Sequence, residues 1–70
     1  MRYSVNYRGA FFVGDNEGVN TVGFDRFDEA RSLLWDVIQC GCDENAYMKD
    51  EEYQCSLYRD RDTKEFYWIG

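Results

Sequence analysis

The stretch Phe24–Gly41, FDRFDEARSLLWDVIQCG, is the only long helical signal in the chain, and it dictates a two-layer architecture. Phe27, Ala30, Leu34, Val37 and Ile38 recur at the helical period and form one apolar stripe, with Leu33 at its edge. Asp28, Ser32, Asp36 and Gln39 fall on the opposite side. Asp25 is expected to cap the N-terminus, with Asp28 at the third helical position and Glu29 beside it in the first turn, where the helix dipole favours negative charge. Gly41 suits the left-handed residue that ends a helix, which stops the element at about Cys40. Trp35 lies off the stripe, so its ring either folds over a sheet edge or stands out as an anchor for a partner. A helix of this length does not persist alone. Strands must supply the other layer.

They are legible on both sides of it. Tyr3, Val5 and Tyr7 alternate with Ser4, Asn6 and Arg8, and the pattern is expected to continue through a bulge at Gly9 into Ala10–Val13. Gly14-Asp15-Asn16-Glu17-Gly18 reads as a loop that pairs this strand in a hairpin with Val19–Phe24. After the helix, Cys42–Glu52 reads as a polar connection, with one short helical turn between Glu44 and Lys49 around Tyr47 and Met48. Tyr53–Tyr58 and Lys64–Ile69 form a second hairpin across Asp60-Arg61-Asp62-Thr63. The expectation is a single α+β domain over residues 1–70 in the order ββαββ, with one helix on one face of an antiparallel sheet. A single helix covers one sheet face only, which should leave aromatics such as Tyr3, Tyr7, Tyr58 and Tyr67 on the other, depending on strand register.

Charge is unevenly distributed along the chain. Eight basic and fourteen acidic residues give a net charge of −6. From Asp15 to Glu52 there are eleven acids against three bases, a local charge of −8, whereas the remaining terminal segments together carry +2. That field repels a phosphate backbone and disfavours direct DNA binding. It favours a basic protein surface, including one that normally holds nucleic acid. No apolar run in the sequence resembles a signal peptide or membrane span, so a cytoplasmic protein with reduced thiols is expected.

The constellations that carry chemistry are weak. There is no His to act as a general base near neutral pH. Cys40 and Cys42 form a Cys-x-Cys pair with Cys55 thirteen residues on; zinc would need Asp43 or Glu44 as fourth ligand, at a spacing unlike the usual finger patterns. Neither Asp50-Glu51-Glu52 nor Asp60-Arg61-Asp62 fits a calcium loop, and Gly14 and Gly18 lack the lysine of a phosphate loop. Tyr3, Tyr7, Phe66 and Trp68, interspersed with Arg2, Arg8, Arg59 and Lys64, would suit base stacking if their rings were free, although the ribonucleoprotein consensus runs are absent. No catalytic residues, cofactor or metal are assigned.

In overall character, with its small size, acidity and many tyrosines, the chain resembles the small inhibitory proteins of bacteriophages and mobile elements, such as anti-CRISPR and antirestriction proteins. The resemblance implies a non-enzymatic inhibitor that occupies the basic nucleic-acid-binding surface of another protein. Its acidic contacts would be Asp28, Asp36, Asp43, Glu44, Asp50, Glu51 and Glu52, with Trp35, Tyr47 and Tyr53 supplying apolar binding energy. The competing expectations are a homodimer or larger homo-oligomer packed through the uncovered sheet face, and a single-stranded nucleic-acid binder working through its aromatic strands.

Overall fold

A computed structural model describes residues 1–70. It contains β1 (Tyr3–Arg8), β2 (Val19–Phe24), α1 (Phe27–Gln39), β3 (Tyr47–Asp50), β4 (Cys55–Arg59) and β5 (Phe66–Ile69). The five strands form one antiparallel sheet in the order β2-β1-β3-β4-β5, with α1 packed against β1, β2 and β3. The α+β class and the single helix agree with the expectation. The fifth strand does not.

β3 occupies the segment read as a polar connection with a helical turn. It is the central strand, paired with β1 on one side and β4 on the other. Met48 and Asp50 point into the helix-covered face, while Tyr47 and Lys49 point away. Four residues of alternation are easily lost among acids, and Asp50 disguised the pattern because a carboxylate faces the core side. It is tolerated there because Arg2 Nε and Nη2 bond its two oxygens at 3.3 and 3.2 Å, and the backbone N–H of Glu52 donates at 3.0 Å.

The core comprises Val5, Tyr7, Ala30, Leu33, Leu34, Val37, Met48 and Leu57 together with Tyr3, Ile38 and Ala46. The predicted helix stripe is buried except for Phe27, which stays partly exposed at the first turn and meets Tyr3 edge-on with centroids 5.7 Å apart. Tyr3 and Tyr7 therefore belong to the helix side of the sheet, not to its uncovered side. Their rings are apolar enough to bury alongside Val5, and Tyr7 keeps its hydroxyl satisfied by donating to Asp15 Oδ2 at 2.5 Å.

Several boundaries move for local reasons. β1 stops at Arg8, because Gly9 adopts φ +97° and turns the chain into a loop instead of a bulge. Asp15 organises that loop by also accepting the N–H groups of Phe11 and Phe12 at 3.1 and 2.7 Å. Buried Asn20 closes it, bonding Gly9 O and both backbone groups of Asn16. The N-cap position of α1 is Arg26, one residue beyond Asp25, and no side chain caps it; Asp28 and Glu29 still lie in the first turn. The helix ends as expected, with Gly41 at φ +82°. Tyr53 and Gln54 belong to the turn before β4, and β5 begins only at Phe66, after Lys64 takes a left-handed conformation.

Candidate interaction surface

The uncovered sheet face is ordered by register. One cross-strand row runs Thr21, Asn6, Tyr47, Tyr58, Tyr67, and the next runs Gly23, Ser4, Lys49, Ser56, Ile69. Tyr47 and Tyr58 stack with centroids 5.3 Å apart and planes 23° apart; Tyr58 and Tyr67 stack at 6.1 Å and 27°. Thr21 Oγ1 donates to Asn6 Oδ1 at 2.7 Å at the other end of the row. The tyrosines support one another as cross-strand neighbours. Because their faces are turned to each other, the row offers ring edges and hydroxyls and not a free platform for bases. Tyr58 and Tyr67 were anticipated on this face; Tyr47 joins them only because β3 exists.

The ten residues expected at a partner interface do not form one patch. Asp28 and Asp36 lie on the exposed side of α1, with Asp28 3.7 Å from Arg26. Asp43 accepts the backbone N–H of Arg8 and of Asn45, which ties the connection after α1 to the end of β1. Glu44 pairs with Arg61 at 3.1 Å. Glu51 accepts from Ser4 Oγ and lies 3.6 Å from Lys49, and Glu52 lies 3.1 Å from Arg2. Asp50 is buried, so it is unavailable to a partner. Hydrogen bonds from Arg2 and from the Glu52 and Tyr53 amides outweigh the effect of burial and hold its carboxyl below the usual range. Half-paired acids distributed over both ends of the sheet make a diffuse field, not a phosphate-like row.

Trp35 folds against the sheet edge and still leaves 37% of its surface exposed. It lies beside Phe66 of the edge strand, with ring centroids 6.1 Å apart, and the Arg59 guanidinium sits 4.5 Å over its indole. Phe27 contacts Trp68 in the same way at 6.1 Å. Together these form an aromatic ledge between α1 and β5, which sequence reasoning missed because its members are far apart along the chain. Tyr53 is exposed in the β3–β4 turn, with Arg2 5.0 and 5.1 Å from the Tyr3 and Tyr53 rings respectively.

The three cysteines are free. Cys40 and Cys42 follow the end of α1, whereas Cys55 pairs with Asp50 at the opposite end of the sheet, so the three thiols do not converge. No group of three Cys, Asp or Glu side chains is placed to hold a metal ion. Burial, reinforced by Cys40 and Asp43, pushes the Cys42 thiol up, away from the reactive thiolate. A groove between the end of α1 and the β4–β5 turn is lined by Gln39, Glu44, Arg59, Arg61 and Lys64. Two of its three cations are already engaged, since Arg59 bonds Gln39 Oε1 at 2.9 Å and Arg61 pairs with Glu44; only the Lys64 ammonium is unpaired. No helix is long and apolar enough to cross a membrane. Comparisons with protein-family models, curated proteins and solved structures found no match.

Proposed function

We propose that this protein is a non-enzymatic interaction module that meets a protein partner through the tyrosine row of its uncovered sheet face. The row of Tyr47, Tyr58 and Tyr67 carries this reading. Stacked tyrosines offer a large, rigid surface with hydroxyls at its rim, and they lose little side-chain entropy on binding. The net charge of −6 supports a basic partner, because a negative field speeds encounter with such a surface. The specific form of this reading is an inhibitor that occupies the basic nucleic-acid-binding surface of another protein. Stacking on single-stranded nucleic acid is the weaker reading, since the ring faces are occupied by one another.

The test is affinity capture from host extract with the wild-type protein and with a Tyr47→Ser, Tyr58→Ser double variant. Enrichment of cationic nucleic-acid-handling proteins by the wild type alone is the expected outcome, with affinity falling as salt is raised. Equal capture by both proteins would remove the tyrosine row from the argument. Salt-independent binding would remove the basic partner.

A further inference from the structure

β5 is an edge strand whose own sequence does nothing to blunt it. Edge strands are normally protected by charge, proline, a bulge or a covering element. Phe66-Tyr67-Trp68-Ile69 contains no charged residue and no proline. The helix packs over β1, β2 and β3, so only its flank reaches the β5 side chains: Phe27 meets Trp68, Trp35 meets Phe66, and the Arg31 guanidinium lies 5.0 Å over the Phe66 ring. The opposite edge, β2, differs: it includes the poor strand formers Asn20 and Gly23, and the Met1 side chain lies over Gly23.

The backbone of β5 is also directed for pairing. Asp60 N–H donates to Glu65 O at 2.8 Å, one register step beyond the Arg59–Phe66 pair. Antiparallel alternation then turns the N–H and C=O groups of Tyr67 and Ile69 toward β4, and those of Phe66 and Trp68 toward the open edge.

We propose that β5 pairs antiparallel with β5 of a second copy, about a two-fold axis at Tyr67. Phe66 of each chain then exchanges backbone hydrogen bonds with Trp68 of the other. On the uncovered face, Tyr67 meets Tyr67 of the second copy, so the tyrosine row runs unbroken across the axis. On the helix side the two aromatic ledges close on each other. The edge is self-complementary in this register, which is the requirement of an isologous contact. β5 itself brings no charge to the contact, and the charged groups on the ledge, Arg31 over Phe66 and Arg59 over Trp35, are opposite in sign to the net charge of −6 on each chain.

The available area matches a modest dimer. Phe27 and Trp35 are each 37% exposed, Tyr67 44%, Trp68 46% and Ile69 54%. At about 200 Å² for each large side chain these fractions leave about 440 Å² per chain. Covered completely, these side chains give a pair about 900 Å² of buried surface, just short of the roughly 1,000 Å² of a stable specific interface and in the range of a weak, transient one. Four backbone hydrogen bonds add to it. The inference needs only the isolated protein, so its failure is distinct from failure of the capture experiment.

Sedimentation equilibrium and amide hydrogen exchange by NMR, across a dilution series, test it together. At about 0.1 mM the protein is expected to sediment as a dimer. The Phe66 and Trp68 amides should exchange at least about tenfold more slowly there than in dilute solution, while Tyr67 and Ile69 are protected at both concentrations. Tyr67→Lys places two ammonium groups across the axis and should weaken the dimer by about tenfold or more. A monomer at the higher concentration overturns the proposal. So does a dimer whose Phe66 and Trp68 amides exchange freely, which would indicate packing through the sheet face, or one that the lysine leaves intact. If a peptide strand from another protein protects these amides while the chain alone stays monomeric, the edge serves a foreign strand instead. The wild-type exchange pattern decides the matter even if the variant does not fold.

Discussion

Met48→Ala tests the centre of the fold. Met48 is fully buried in β3, paired with Val5 on one side and Leu57 on the other. Truncation removes the thioether and its methylene from a site that cannot collapse easily, because sheet neighbours hold both flanks. The lost transfer energy is about 1.5–3 kcal/mol, and with the cavity term the expected loss is about 2–4 kcal/mol. A domain of this size has a total of roughly 3.5–10 kcal/mol, so the variant forfeits a large share of it. Urea denaturation followed by far-ultraviolet circular dichroism measures the change, and the melting midpoint should drop by about 10–20 °C. Met48→Leu preserves volume and should cost less than about 1.5 kcal/mol. If the alanine variant loses less than about 0.5 kcal/mol, the residue behaves as a surface position and β3 is not the central strand.

Two further outcomes concern pH. The carboxyls of Asp15, Asp50 and Asp60 are all held below their ordinary value of 3.8: Asp15 chiefly by the Tyr7 hydroxyl, Asp50 by Arg2 and turn amides against the effect of burial, and Asp60 by the Thr63 and Asp62 amides. A depressed folded value means the unfolded chain binds more protons, so this stabilisation is complete above the unfolded value and is lost as pH falls through the folded ones. Urea midpoints should therefore decline below about pH 4, and Asp15→Asn should flatten the decline. Tyr7 behaves oppositely: burial first, then its bond to Asp15, pushes the phenol up to about 12. Its contribution is fully present below the ordinary value of 10.0 and is lost as pH rises toward 12. A spectrophotometric titration should show one tyrosine ionising late, and Tyr7→Phe should delete that step.

What the sequence made legible follows its periodicities. Thirteen helical residues present more than three turns of pattern, so the buried stripe from Ala30 to Ile38 stands out from any local noise. β1, with three alternations, was equally readable. β3 has only two, and one inward position is Asp50, whose burial depends on Arg2 forty-eight residues away. No local rule carries that information. The same limit displaced Tyr3 and Tyr7 to the wrong side of the sheet: period two says which residues share a face, but only packing against α1 says which face is covered. The acidic contact surface was inferred from charge along the chain. Folding distributes those carboxylates among Arg2, Lys49, Arg61 and backbone amides at both ends of the sheet, and their nearness in sequence does not survive. Trp35 was readable as lying off the stripe, and the structure shows it both packed beside Phe66 at the sheet edge and partly exposed.

The order β2-β1-β3-β4-β5 also fixes which part of folding is hardest. β1 with β2, and β3 with β4 and β5, are assembled by short-range hairpins, so each group is cheap in chain entropy. They join along one seam, β1 against β3, whose partners such as Tyr3 and Asp50 are separated by most of the chain. Arg2 and Asp50 fasten one end of that seam, Arg8 and Asp43 the other. Loop-closure cost rises with the length of chain that must be gathered, and α1 shortens that reach by winding the intervening residues into a rod. The helix that closes the core is thus also the spacer that brings two locally paired hairpin units within reach of each other, and docking along the seam is where the largest chain-entropy cost of the sheet falls.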